Sequence, residues 1–261
     1  MNLTPREMVL LTVLSDMYGA PLDLVAQMLG VSESRAYRIV RKLRKAKMVS
    51  ELGTRPVPGR SWITPTRSTA DALLGRSTKF WIPSPKMAAH TRTVLEVRLA
   101  LVGMDLERWI SERQLRSEIP MAMPGETRPH IHDGRYINAA GELIAVEVEL
   151  TAKNLRAAKS AIAQAVQSAR AAECAGLTYY YRGAGVKSVI TKAAKELRDA
   201  GHFENAGLRM RLADVDAELL NKTKPAASDL RPGLRVIAGG AADHEIPQIT
   251  DPNEHGEAVS S

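Results

Sequence analysis

Apolar residues recur at helical spacing in the first third of the chain, between residues that start and stop helices. Thr4, Pro5 and Glu7 are typical of a helix start, because Thr4 can cap the helix and Glu7 can complete a capping box. Gly30 is typical of a helix end, and Ser32 of the next helix start. The pattern therefore predicts helices over residues 5–18, 21–29 and 33–47.

Two short strands are predicted next, over residues 48–52 and 61–64, around a stretch of turn-forming residues at 54–60. A further helix is predicted over 67–74. Three helices followed by a two-stranded hairpin are the arrangement of a winged helix-turn-helix. The sequence thus predicts a winged helix-turn-helix DNA-binding domain over residues 1–75 and a linker over residues 76–86.

A second pattern of alternating helices and strands occupies residues 87–215 and predicts an α/β domain. Its core order is helix, three strands, helix, strand, which is that of the PD-(D/E)xK nuclease-like core. The predicted fold class is therefore α+β, with the winged helix-turn-helix followed by a nuclease-like αβββαβ domain. Residues 216–261 are polar and rich in Gly and Pro, and they predict a disordered tail. The predicted elements are helices at 86–102, 154–172 and 186–200 and strands at 106–111, 130–137, 142–150, 177–181 and 208–212, with an irregular stretch before residue 130.

Positive charge is concentrated in the predicted DNA-binding domain and linker. Residues 1–84 contain thirteen Lys and Arg but six Asp and Glu, so they account for the whole net charge of +7. This asymmetry indicates a polyanionic partner. A lone cysteine, Cys174, fits a reducing cytoplasm, and no apolar run is long enough for a membrane span.

The third predicted helix carries the candidate DNA contacts, because residues at the start of such a helix meet base edges and later ones meet phosphates. Two wing residues could enter a minor groove or contact a phosphate. The alternative is a solvated basic helix in a protein-binding module. The candidates are Ser34, Arg35 and Arg38 for base edges, Arg41, Lys42, Arg44 and Lys45 for phosphates, and Arg55 and Arg60 in the wing.

Acidic residues on two neighbouring predicted strands form a candidate metal site. If Gly141 is left-handed in a three-residue hairpin loop, Asp133 lies opposite Glu147 and on the face of Glu149. Three converging carboxylates suit Mg²⁺ or Mn²⁺, which could activate water for phosphodiester attack while Lys153 neutralises the phosphate. The alternative is an ordinary amphipathic strand with exposed glutamates.

Other residues near the candidate metal site are predicted to support it or to lie outside it. Glu96 and Glu112 could add a ligand or support one. His130 and His132 are expected on the face opposite Asp133, as satisfied or exposed side chains outside the metal site.

The whole pattern resembles the replication-relaxation family of actinobacterial plasmids, integrative elements and phages, over about residues 5–215. Besides the N-terminal module, the resemblance rests on residues 90–99 (HTRTVLEVRL), 109–112 (WISE), 133–134 (DG) and 146–153 (VEVELTAK). It implies a mobile-element DNA-binding protein in plasmid replication, relaxation or gene control. Two positions depart from the nuclease pattern, since His132 replaces a proline and Glu149 replaces the last-motif lysine.

The sequence therefore leaves two functions open. The first is a sequence-specific protein that binds double-stranded DNA and uses its nuclease-like domain for DNA or partner binding, without catalysis. The second is an Mg²⁺- or Mn²⁺-dependent DNA endonuclease or nickase targeted by the winged helix. A single winged helix reads a short half-site, which is compatible with a homodimer, and the helix over 86–102 could supply its interface.

Overall fold

The N-terminal helices begin and end where the sequence supplies caps. In the computed structural model, which describes residues 2–55, 59–119, 129–203 and 207–223, the Thr4 hydroxyl and the Glu7 carboxylate form the predicted capping box. Gly30 adopts a φ of +54°, in the left-handed region that glycine tolerates at a helix end. In chain order the elements are α1 (Pro5–Asp16), β1 (Ala20–Pro21), α2 (Leu22–Leu29), α3 (Glu33–Lys45), β2 (Trp62–Ile63) and α4 (Arg67–Leu74).

A small antiparallel sheet closes this segment. β1 pairs with β2, and the arm between α3 and α4 is joined by bridges between Val49 and Pro65 and between Thr54 and Trp62. The prediction of a strand over 48–52 is therefore wrong, since only the isolated bridge at Val49 forms there, and the strand predicted over 61–64 is reduced to β2, which pairs with β1. Of the predicted turn, residues 56–58 lie outside the described residues.

The remaining described chain builds one mixed sheet with helices on both faces, so the coarse α+β prediction is confirmed. Its strand order is β3-β4-β5-β6-β7, antiparallel from β3 to β5 and parallel from β5 to β7. The elements are α5 (Pro85–Leu101), β3 (Trp109–Ser111), α6 (Glu112–Glu118), β4 (Gly134–Ile137), β5 (Leu143–Glu149), α7 (Leu155–Ala171), β6 (Gly176–Tyr181), α8 (Ala184–Asp199), β7 (Arg209–Asp214) and α9 (Val215–Thr223).

The predicted hairpin register between β4 and β5 is confirmed. Gly134 pairs with Val146, and Gly141 in the connecting turn has a φ of +78°. Asp133 therefore lies opposite Glu147, just before β4 begins. Gly134 also fits closely beneath Trp109, because a Cβ atom there would lie 2.3 Å from the indole ring.

Three predicted boundaries are wrong. The strand expected from residue 130 starts only at Gly134, so the strict alternation assumed for the residues before it does not apply. The stretch after Ser111 was expected to be irregular but begins with α6, which Ser111 caps by accepting the Gln114 amide. α9 occupies the start of the predicted tail, while residues 224–261 lie outside the described residues.

One hydrophobic core runs from the N-terminal helices to one face of the sheet. It joins Leu10, Val40 and Leu95 to Val146 and Tyr180, whereas α7 and α8 pack against the other face. Residues Met1–Lys224 accordingly form one compact unit. No helix among the described ranges has the length and apolar character that crossing a bilayer requires.

α5 lies inside this core rather than at the surface. Between Thr91 and Leu101 none of its residues is exposed, and Leu95 and Arg98 are almost fully buried. The part of α5 from Thr91 onward is therefore used in packing, whereas its first turn is exposed, for example at Met87. That this helix could supply a dimer interface stays a prediction, restricted to the exposed first turn.

Candidate functional site

The outward face of α3 is basic and without internal partners. Ala36, Val40 and Leu43 face the core, as the apolar spacing predicts, and Ser32 caps the helix. The opposite side chains project into solvent. Within the described ranges, no hydrogen bond or ion pair engages the side chains of Arg35, Arg38, Arg41 and Lys45, all of which are exposed, as is Ser34.

Lys42 departs from its predicted role. Its Nζ lies 2.9 and 3.1 Å from the two carboxylate oxygens of Glu7, the residue that completes the capping box of α1. Burial raises the pKa of Glu7, but the hydrogen bonds from the Thr4 amide and from Lys42 outweigh it, and the net pKa is lowered. Lys42 is therefore a cross-link between α1 and α3, and not a free phosphate ligand.

Of the two cations predicted for a wing, Arg60 lies next to the start of α3. Arg60 Nε is 2.9 Å from Glu33 Oε2, and Arg55 Nε donates to the Ser61 hydroxyl at 3.3 Å. Arg44, predicted to hold phosphate, donates instead to the Ser50 carbonyl at 3.3 Å. The arm is thereby tied to both ends of the basic helix.

Tyr37 was overlooked in the sequence. Its side chain lies on the exposed surface of α3 among Ser34, Arg38 and Arg41, and the residue is 51% exposed. The signal was present in the sequence, because Tyr37 follows Ser34 at i+3 and precedes Arg41 at i+4, which places all three on one helix face.

Asp133 and Glu147 each contact a different histidine. His90 Nε2 donates to Asp133 Oδ1 at 2.9 Å, and the Val148 amide donates to Asp133 Oδ2 at 2.7 Å. Glu147 Oε1 lies 2.7 Å from His130 Nε2. The two strands thus bring together two acid–histidine pairs.

Glu147 is the most perturbed carboxylate of this group. Burial raises its pKa to about 7, with a further contribution from the charge of Asp133 and an opposing one from the hydrogen bond to His130. That same bond raises the pKa of His130. Both members of the Glu147–His130 pair therefore have raised pKa values, Glu147 through burial and His130 through the hydrogen bond between them.

Glu149 does not join the other two carboxylates. Its side chain pairs with Lys153 and accepts the Thr151 amide. Glu96 pairs with Arg92 and Arg182, and Glu112 pairs with Arg116. Asp133, Glu147 and Glu149 are therefore not one ligand set, which corrects the predicted convergence, and Lys153 neutralises a glutamate rather than an open site.

The ligand atoms that do come together belong to His130, His132 and Glu147. Within the described part of the chain, these three residues are the set whose ligand atoms lie within 4.8 Å of one another. The expectation that both histidines face away from the acidic residues is wrong for His130, because the segment before Gly134 lacks strand alternation. The expectation of a satisfied histidine is confirmed for His132, which is fully buried and bonded to the Ala165 carbonyl at 3.0 Å.

A cavity of about 290 Å³ lies beside the His90–Asp133 pair. Its walls include Tyr18 and Trp81 from the N-terminal part of the chain and Glu112 from α6. Asp133 therefore lines a cavity that solvent can enter.

Comparison of this chain with known proteins identifies no relative. A scan against protein-family models, a search of curated proteins and a search of solved structures each find no match to this chain. The resemblance to the replication-relaxation family consequently remains a prediction.

Proposed function

We propose that this chain binds double-stranded DNA through a winged helix-turn-helix formed by its N-terminal segment, with α3 in the major groove. The observation that carries the proposal is the set of four exposed cations on α3 without internal partners. Elsewhere, arginines such as Arg92, Arg182 and Arg209 are held in ion pairs. A row of unpaired cations on one helix face can bind the successive phosphates of a polyanion such as DNA.

The dimensions and the distribution of charge support the same function. α3 has 13 residues and is therefore about 20 Å long, which suits a major groove. Ser34, Arg35 and Arg38, near its start, would contact base edges. Arg41 and Lys45 would contact phosphates, and the arm that carries Arg55 and Arg60 would contact the adjacent backbone or minor groove.

The biological setting is proposed from the resemblance. It is a cytoplasmic DNA-binding protein of a mobile element, in plasmid replication, relaxation or transcriptional control. The sheet domain, which we propose to be nuclease-like, would serve DNA or partner binding. A homodimer on paired half-sites would need a surface outside the buried part of α5.

A binding experiment tests this function on the full chain. A preferred duplex is first enriched from a random pool, and Kd is then measured on it and on random duplex. Arg38→Ala should weaken binding to the preferred duplex about 5- to 150-fold, and binding to random duplex much less. Arg198→Ala is the matched control, because Arg198 is an exposed helical arginine far along the chain in α8.

The outcomes separate the alternatives. Equal loss on both duplexes would assign Arg38 to positioning alone. Failure of the wild type to bind any duplex, even at low salt, would instead favour the protein-binding module, because phosphate contacts make DNA affinity strongly salt-dependent.

The second candidate function, a metal-dependent endonuclease or nickase, is favoured by the half-buried carboxylates of Asp133 and Glu147, which lie opposite each other in register. Against it, each carboxylate already has a histidine partner and Glu149 is paired with Lys153. Incubation of supercoiled plasmid with Mg²⁺ or Mn²⁺ decides the matter. Nicking that Glu147→Gln abolishes would establish the enzyme, and binding without nicking would exclude it.

A further inference from the structure

We propose that His130, His132 and Glu147 bind one divalent late first-row transition ion, of which Zn²⁺ is the type. The proposal is independent of DNA binding, and it differs from the predicted Mg²⁺ site in two of its three residues and in its chemistry. Two imidazoles and one carboxylate suit zinc and its neighbours, whereas Mg²⁺ selects oxygen ligands.

His132 has the environment of a metal-binding histidine. Its Nε2 is held by the Ala165 carbonyl of α7 at 3.0 Å, which fixes the ring and leaves Nδ1 with its lone pair. Ligating histidines are commonly oriented in this way by a backbone carbonyl on their other nitrogen. His132 is fully buried, so its ring cannot turn to find another partner.

His130, from the same segment as His132, and Glu147 of β5 complete the set. Their Nε2 and Oε1 atoms are 2.7 Å apart, and the Ser168 hydroxyl of α7 donates to the His130 carbonyl at 2.8 Å. Ligand atoms around tetrahedral zinc are about 3.4 Å apart, given bond lengths of about 2.0–2.2 Å. The three ligand atoms lie within 4.8 Å of one another. Small side-chain movements therefore suffice to bring them to the spacing that zinc requires.

The site retains an open side. The His130 side chain is 22% exposed and the Glu147 side chain 13%, so an ion can enter and water can occupy a fourth position. Three protein ligands plus water are the arrangement of zinc sites that keep an exchangeable position.

Arg135 opposes metal binding. Its Nε donates to His132 Nδ1 at 3.3 Å, the atom that the ion would use. The bond is long, and Arg135 is only partly buried, so the guanidinium can move aside. Arg135→Gln removes both a competing donor and a positive charge beside the cation, so it should tighten metal binding several-fold.

The test uses the full chain without an affinity tag, stripped of metal by a chelator. Co²⁺ is the probe, since its visible absorption reports four- or five-coordinate ligand fields, and Zn²⁺ is the competitor. We expect one Co²⁺ per chain, displacement by one equivalent of Zn²⁺, and no displacement by a large excess of Mg²⁺.

Variants assign the ligands. His130→Asn and Glu147→Gln should each weaken Co²⁺ binding by at least about 100-fold, since even outer-shell changes cost 10- to 100-fold. Glu149→Gln and His202→Asn are matched controls outside the set and should bind as the wild type does. Circular dichroism melts verify that each variant is folded, and the test does not depend on replacing the fully buried His132.

Three results would overturn the proposal. The first is no Co²⁺ binding by the folded wild type. The second is loss of binding in Glu149→Gln with His130→Asn unaffected, which would indicate a carboxylate site. The third is loss confined to His202→Asn. A tighter site in Arg135→Gln would support the assignment of Nδ1, and weaker binding there would contradict it.

Discussion

Arg92 of α5 holds Asp23 of α2 in a two-pronged ion pair, with Nη1 3.2 Å from Oδ1 and Nη2 2.6 Å from Oδ2. Asp23 lies in the first turn of the helix that leads into α3, and Arg92 lies two residues after His90. The helix that precedes the proposed DNA-reading helix is thus joined to the helix that contacts Asp133 by one planar contact.

The Asp23–Arg92 pair should couple measurably in a double-mutant cycle. Asp23→Asn, Arg92→Met and the double variant are compared by urea unfolding. Both side chains are about one-third exposed, so we expect a coupling free energy of about 1 kcal/mol, less than a buried pair would give. Additive effects of the two substitutions would contradict the coupling.

Glu7 should stabilise the fold at neutral pH and lose that effect in acid. Its folded-state pKa is below the ordinary value of 4.5, so the stabilisation is present above about pH 4.5 and disappears as pH falls through the folded pKa. The difference in unfolding free energy between wild type and Glu7→Gln should therefore shrink below pH 4.5. A constant difference from pH 7 to pH 3 would exclude this role.

Glu7→Gln should also strengthen DNA binding. The substitution weakens the hold on Lys42, whose Nζ becomes available to a phosphate. We expect tighter binding to random duplex and a steeper dependence of log Kd on log salt, by about one unit. An unchanged slope, measured by titration at several salt concentrations, would show that Lys42 stays away from DNA.

Gly134→Ala should destabilise the fold, because the new Cβ would meet the Trp109 ring at 2.3 Å. Both residues lie in paired strands, so relief requires a backbone shift, and we expect a loss of about 1–3 kcal/mol. Gly185→Ala is the matched control. Nothing lies within 4 Å of a Cβ there, and alanine favours the helix, so that variant should be neutral or slightly more stable. Urea unfolding of both variants gives the comparison.

Tyr37→Ala should reduce affinity for the preferred duplex about tenfold without changing stability. The ring is half exposed on α3, so it contributes little to packing but can contact a thymine methyl group or a sugar. Tyr37→Phe, which keeps the ring, should bind nearly as well as the wild type. Equal loss in both variants would assign the effect to the hydroxyl group instead.

Local signals in the sequence were sufficient for much of the fold. The capping residues at Thr4 and Ser32 set the starts of α1 and α3, and the turn at Gly141 set the register that places Asp133 opposite Glu147. These features depend on residues close together in sequence, which is why pattern and spacing suffice.

The elements that were missed depend on tertiary context. α6 has a weak apolar pattern and buries Arg113, whose guanidinium bonds the Ser15 and Lys79 carbonyls. α9 follows from the Asp214 cap, which accepts the amides of Asp216 and Ala217. The polar composition beyond it obscured this signal.

The candidate sites were harder still to predict from the sequence. Lys42 was assigned to DNA because its pairing with Glu7 joins residues 35 positions apart. His130 was assigned away from Glu147 because strand alternation was extended past the point where β4 begins. Side-chain partners across the fold are not encoded in periodicity.

The continuous core of the molecule limits how its parts can be exchanged. Leu10 and Val40 share a cluster with Val146 and Tyr180, so the N-terminal helices and the sheet are two sides of one packed interior. Grafting residues 1–75 onto another protein would uncover apolar surface that α5 and the sheet normally cover. For the proposed DNA-binding function, a change of target would therefore come by substitutions on the outer face of α3, and not by exchange of residues 1–75 as a unit.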